Sequence, residues 1–223
     1  MKFCFHELAS DAHLELRGEA FNHIFNARRA KKFKELALCN LKDNYLHFYT
    51  ISELSRSSAK LILKNSQKIV QNLVPKHIIW ALVESKVIEK TLPFLNELGI
   101  TKLTFFRSQR SQNIELDFNR LNKILIQSCE QCGRLDLMNV ELLENLEQVF
   151  LHYKNCILLD FSGDLNADFS DIKSIIIGPE GGFSGSELEL AQTKAKIMRL
   201  DNPLILKSQT AVIFASTLFP RSN

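Results

Sequence analysis

The 223 residues predict an α/β protein in two parts: a small β-rich domain over residues 1–72 and an α/β domain with a mostly parallel sheet over residues 73–223. Three features carry that expectation. The first third holds short apolar runs with strand-like alternation, separated by polar turns. From His77 onward, buried-type strands alternate with helix-period segments, the pattern of βαβ units. With 45% hydrophobic and 24% charged residues the composition is that of an ordinary globular chain, so disorder is excluded as the default.

In the first part, strands are expected at Glu35–Cys39, Leu46–Ile51 and Lys60–Leu63, with turns at Leu41-Lys42-Asp43-Asn44 and Ser55-Arg56-Ser57-Ser58. An amphipathic segment, Glu19 to Phe25, precedes them. The pattern fades over Asn65–Val74 and ends at Pro75, which places the boundary near residue 72. The second part opens with a buried strand, His77–Val83, then a helix, Val87–Leu98, closed by Gly99 at a C-cap position, then a strand, Lys102–Phe106. A long helix, Phe118–Cys132, stops at Gly133. Further strands are expected at Asn155–Leu159 and Lys173–Ile177, and helices near Glu141–Phe150, Ser186–Lys194 and Ser208–Leu218.

The bulk properties narrow the function classes. No run of eighteen apolar residues occurs and the amino terminus has no signal-peptide core, so a cytosolic chain without membrane spans is expected. Five cysteines with one close pair argue against a disulfide framework. Cys129-x-x-Cys132 lies at a helix end without two further ligands, so no metal is expected. Net charge is +3, but residues 1–74 hold twelve Lys/Arg against seven Asp/Glu. Arg28, Arg29, Lys31, Lys32 and Lys34 crowd into seven positions, a cluster suited to phosphate contacts. His23 is weighed equally as an RNA contact and as a packed residue.

The stretch Ile175-Ile176-Ile177-Gly178-Pro179-Glu180-Gly181-Gly182-Phe183-Ser184-Gly185-Ser186-Glu187 runs from a buried strand through a glycine-rich turn into a helix. Glycine lets the backbone approach a ligand closely, and Ser184 with Glu187 has the spacing of a capping box. A tight turn with no ligand is the plainer explanation of a Gly-Gly bend. The Lys-Ser/Thr ending of a phosphate loop is missing and the dinucleotide spacing is absent, so a ligand held here is expected to lack phosphates. Trp80 and most phenylalanines read as core, although an exposed aromatic could stack on a flipped-out base.

Ile-Gly-Pro-Glu-Gly-Gly-Phe-Ser with Glu187 resembles the signature of the ribosomal RNA small subunit methyltransferase E family, in the SPOUT superfamily of knotted methyltransferases. Glu97-Leu98-Gly99, Arg110-Ser111 and Cys129-Glu130-Gln131-Cys132-Gly133-Arg134 match in the same order, and Asn22-His23-Ile24 with Arg29 resembles the family's PUA-like amino-terminal barrel. The resemblance implies a trefoil knot near the carboxyl end, a homodimer, and S-adenosyl-L-methionine as methyl donor. It also implies ribosomal RNA as partner and uridine N3 of small-subunit RNA as target.

Carried over by resemblance, Leu82, Val83 and Glu84, then Gly178, Pro179, Glu180, Gly181 and Gly182, then Leu200, Asn202, Pro203, Leu204, Ile205, Leu206, Ser208 and Thr210 would hold the donor. His23, Arg28, Arg29, Lys31 and Lys32 would contact RNA, and Lys207, Arg110 and Arg134 would serve the chemistry. The final loop departs from the family pattern. Leu204 and Lys207 stand where arginines are usual, and Gln209 where glutamate is, which removes a planar guanidinium fork and its carboxylate. Two alternatives remain: a non-catalytic RNA-binding or ribosome-assembly homologue, and a SPOUT enzyme acting on another nucleotide. The Asn-x-Gly-x-x-x-Arg motif of ribose methylation is absent.

Overall fold

The structure is a computed structural model that describes residues 3–27, 35–71, 73–165 and 172–219. Two compact units emerge: Met1–Gln71 with Ile126–Leu137, and the remainder of the chain. The second half of the long helix therefore belongs with the amino-terminal residues.

The first unit is a five-stranded sheet in the order β1-β3-β4-β5-β2, from β1 Cys4–Phe5, β2 His13–Arg17, β3 Glu35–Cys39, β4 Tyr45–Leu54 and β5 Ser58–Lys68. Only β1 and β3 pair in parallel. A helical turn, α1 Gly18–Phe21, continues as a π-helical stretch, Asn22–Ala27, which buries Phe21, Ile24 and Phe25 against Leu16, Leu38 and Leu61. Strand alternation explains the split: in β2, Leu14 and Leu16 face inward while His13, Glu15 and Arg17 face water. A second cluster packs Cys39, Leu41 and Phe3 around Cys129 and Leu135.

The second unit carries six strands in the order β11-β9-β10-β6-β7-β8, every pair parallel. These are β6 His77–Ala81, β7 Lys102–Phe106, β8 Asn139–Leu143, β9 Cys156–Asp164, β10 Ser174–Ile177 and β11 Lys196–Met198. The helices are α2 Ser85–Glu97, α3 Phe118–Cys132, α4 Leu146–His152, α5 Gly185–Lys194 and α6 Ser208–Ala215. β6 and β10 lie in the middle of the sheet and bury every residue, with apolar runs after His77 and Ser174, because both faces are covered. No helix among the described residues is long and apolar enough to cross a membrane.

Two expectations for this unit are corrected. The segment Glu141–Phe150 is not one helix: β8 pairs with β7 and ends at Leu143, and α4 begins after Asn145, whose side chain accepts from Gln148 N at 2.9 Å. Leu142, Leu143, Leu146, Val149 and Phe150 happen to share helical spacing, which masked the cap. The strand expected to end at Leu159 continues to Asp164, where it pairs with Met198 after a register shift.

A partly buried polar chain crosses the sheet from Ser174 and His77, at the starts of β10 and β6, to Thr104 and Glu141 in the middle of β7 and β8. Thr104 Oγ1 donates to Glu141 Oε1 at 2.7 Å, and Tyr153 donates to the same oxygen. The Thr104 proton is thereby used, so His77 Nε2–H donates to Thr104 (2.7 Å) and His77 Nδ1 accepts from Ser174 Oγ (2.8 Å). Burial and the nearby Lys102 cation push the His77 pKa down to about 4.

Candidate functional site

A cavity of about 450 Å³ opens at the carboxyl ends of β10 and β11, beside the middle of β9. It falls within the range of about 300–1,000 Å³ typical of small-molecule sites, and ligands of parallel α/β sheets bind at these strand ends. Three segments build its wall: Leu159–Phe161 within β9, Gly178–Glu180 with Gly182 and Phe183 in the bend after β10, and residues from Arg199 to Ser208 leading into α6.

The bend after β10 is shaped by sterics. A side-chain carbon at Gly178 would stand 2.9 Å from the Phe183 ring, and Gly182 sits at φ +67°, so both positions demand glycine. Gly182 N donates back to Pro179 O at 3.0 Å, closing the turn. The expected capping box then starts α5. Glu187 N donates to Ser184 Oγ (3.2 Å) and Ser184 N to Glu187 Oε2 (2.9 Å).

Glu187 does more than cap. Its carboxylate also accepts from Ser108 Oγ (3.1 Å) and Gln109 N (3.0 Å), tying the loop after β7 to the helix start. Arg110, on that loop, is exposed and donates through Nη1 to the Gly181 carbonyl at 2.9 Å. Its guanidinium therefore steadies the bend.

A second tie joins α6 to the same bend. The Ser208 hydroxyl donates to the Gly178 carbonyl (2.7 Å) and accepts from Trp80 Nε1 (2.7 Å), linking three segments far apart in sequence. Lys207 precedes it as the N-cap of α6, with an exposed side chain lining the cavity. Gln209, beyond it, has a buried Oε1 with no donor among the described residues.

Of the residues singled out from the sequence, Gly178, Pro179, Glu180, Gly182, Leu200, Asn202, Leu204, Ile205, Leu206, Lys207 and Ser208 line the cavity. Others do not. Gly181 is not in the lining and its carbonyl accepts from Arg110, while Pro203 and Thr210 are exposed outside the lining. Leu82 and Val83 are fully packed at the end of β6, and Glu84 is the N-cap of α2.

Arg134, read from sequence as a cation for RNA, is 4% exposed in the first unit. Its guanidinium is committed to Asp136 by bonds of 3.1 and 2.9 Å. His23 shares that unit and lies 3.0 Å from both oxygens of the buried Glu130, which also accepts from Phe5 N at 2.7 Å. Arg28, Arg29, Lys31 and Lys32 lie outside the described residues.

Sequence reasoning missed Leu159, Asp160, Phe161 and Arg199, all of which line the cavity. Periodicity ended the strand at the first charged residue. The signal that could have extended it is Gly163, an isolated glycine in a strand-like run, since such glycines mark close backbone approach. A side-chain carbon there would stand 2.4 Å from the backbone nitrogen of Met198.

These walls and ties define a ligand-binding α/β domain of one recognisable class: a family model described as RNA methyltransferase domain matches residues 70–219. The chain is 39% identical, over 98% of its length, to ribosomal RNA small subunit methyltransferase E of Helicobacter pylori strain 26695, of which it covers 99%. It belongs to the ribosomal RNA small subunit methyltransferase E family.

Solved structures share the fold. One, from Legionella pneumophila and solved with S-adenosylmethionine, superposes with a TM-score of 0.82 at 23% identity, covering 97% of this chain and 94% of that one. A second, ribosomal RNA small subunit methyltransferase E from Neisseria gonorrhoeae bound to S-adenosylmethionine, gives 0.79 at 18%, covering 97% and 95%.

Proposed function

We propose that this chain transfers a methyl group from S-adenosyl-L-methionine to N3 of a uridine in small-subunit ribosomal RNA. The observation that carries the reading is the cavity between the glycine bend and the loop leading into α6, in a chain 39% identical to a curated ribosomal RNA methyltransferase.

The residues present fit the donor. It is a cation at sulfur and at its amino group, with one carboxylate and no phosphate. The cavity offers Asp160 and Glu180 toward the cations, Arg199 toward the carboxylate, and Leu159, Ile177 and Leu206 as apolar wall. The bend places backbone carbonyls and amides against the ligand without side chains intervening. When bound, the donor supplies an electrophilic methyl group whose transfer leaves a neutral thioether.

The chain's own residues then act by placement and charge. Ser208 and Arg110 hold the bend in one geometry, which supplies orientation. Uridine N3 must pass its proton to solvent water, and Lys207 at the cavity wall stabilises the anion that forms. Arg110, through its remaining donors, meets the RNA.

In this reading residues 1–72 form the PUA-like RNA-binding barrel, with His23 and the cluster Arg28, Arg29, Lys31 and Lys32 on the RNA. Residues 73–223 form the knotted catalytic domain. The knot reading is supported by the chain's return from β11, at the sheet edge, to Ser208 against Trp80 and Gly178 in its middle. A homodimer is supported by α6, which leaves Phe214 exposed and Gln209 Oε1 buried without a donor among the described residues. The site of action is the cytosol, where ribosomal RNA is assembled.

The decisive measurement is mass spectrometry of ribosomal RNA nucleosides from cells lacking and regaining the chain. Loss and return of 3-methyluridine supports the proposal; an unchanged level ends it. For the electrostatic role, Lys207→Met should lower kcat by about 10²-fold while calorimetric donor affinity stays within about threefold. Near-normal turnover removes Lys207 from the chemistry.

A further inference from the structure

We infer that Phe161 is the stacking platform for the acceptor nucleobase, an unstacked pyrimidine of the RNA. The inference rests on the methyl-transfer reading above and names how that site holds its second substrate.

Phe161 is 63% exposed although it lies within β9. Phe94, Phe118 and Phe214 are exposed too, but of the four only Phe161 lines the cavity. Leu204 and Ile205, which also line the cavity, are 72% and 83% exposed. An apolar rim this open is costly in water unless a ligand covers it.

The backbone that carries the ring is held in place by its own strand. Asp160 Oδ1 accepts from Ser162 N (2.9 Å) and Ser162 Oγ (2.7 Å), which fixes the backbone on either side of Phe161. Two residues on, Gly163 passes so close to Met198 that no side chain fits between them. The strand extension thus presents an aromatic face at little ordering cost, as a preorganised site requires.

Position selects the ligand. In the methyl-transfer reading the donor's place is the interior between the bend and the α6 loop, where Phe183 is buried. A ring at the open rim faces what arrives from outside. Enzymes that modify a base must take it out of its stack and replace the lost stacking, and an aromatic side chain does so for any base because every base has a π-face. Lys207 on the same wall supplies the positive charge that a nucleotide brings its anion to meet.

The test uses the full chain. Trp80 is the single native tryptophan and is fully buried, so Phe161→Trp adds an exposed reporter. Its fluorescence should be quenched by a short uridine RNA, and far less by an abasic RNA of equal length or by S-adenosylmethionine alone. In turnover, Phe161→Leu should lower kcat/KM for RNA on the order of tenfold, with the donor KM within about twofold, and Phe161→Tyr should restore most of the loss.

Quenching by the donor alone or equally by abasic RNA overturns the assignment. So does a Phe161→Leu chain that is no worse than Phe161→Tyr, or one whose sedimentation shows that a dimer has fallen apart, which would make the ring a subunit contact. If the wild-type chain leaves ribosomal RNA unmethylated, the methyl-transfer reading fails by itself, and the quenching arm still decides whether the ring stacks on a base.

Discussion

Ser208 stands at the crossing of two hydrogen bonds that no local pattern announces. Its hydroxyl takes the Trp80 indole proton and passes its own to the Gly178 carbonyl, so a single oxygen joins β6, the bend and α6. Ser208→Ala leaves a buried indole N–H and a carbonyl unpaired, which costs about 1–3 kcal/mol. Urea denaturation should show that loss, and calorimetry should show weakened donor binding. A variant unchanged in both would mean that the tie has no role. Gly178 is constrained by packing: Gly178→Ala drives a methyl group into the Phe183 ring, at an expected cost of about 1–3 kcal/mol from overpacking. The glycines and Ser184 were readable because their roles depend on near neighbours. Arg134 was not, because its identity as a cation says nothing about Asp136 folding over it.

Elements were legible where periodicity and capping agree, and the start of α5 is the clearest case. Ser184 and Glu187 announce the box, yet the second use of Glu187, on Ser108 and Gln109, comes from a loop 78 and 79 residues away. Glu187→Gln keeps the size but supplies a neutral acceptor for three donors. It should cost about 1–2 kcal/mol of stability, read from the denaturant midpoint, and should loosen the loop that carries Arg110. A midpoint equal to wild type would refute the clamp. β8 and the outer half of β9 show the opposite situation. β8 is an edge strand whose leucines continue into α4 with helical spacing, so only pairing with β7 reveals it. β9 survives past Asp160 because Gly163 lets β11 close against it, a condition satisfied only by Met198, 35 residues later in the chain.

At the scale of the whole molecule, stability is tied to pH through His77. The unfolded histidine takes a proton near pH 6.5, whereas the buried ring between Ser174 and Thr104 resists until about pH 4. Its stabilisation is complete above pH 6.5 and is lost as pH falls through that window, because the unfolded state then binds the extra proton. The expected loss is on the order of 3 kcal/mol. Melting temperature should fall between pH 6.5 and 4, and His77→Gln should flatten that slope; an equal slope in both chains would exclude the network. Residues 126–137 teach a related lesson, since helix periodicity made α3 one element while tertiary contacts assign its end to the amino-terminal unit, where Glu130 binds Phe5 and His23. Local chemistry was enough to write the α/β class, most element positions, the glycine bend and its cap, and the family, because propensity, periodicity and turn geometry act between residues close in the chain. The third wall of the cavity, the burial of Arg134, the relay through Ser208 and the open face of Phe161 were decided only by tertiary structure, because each depends on which distant backbone arrives beside it.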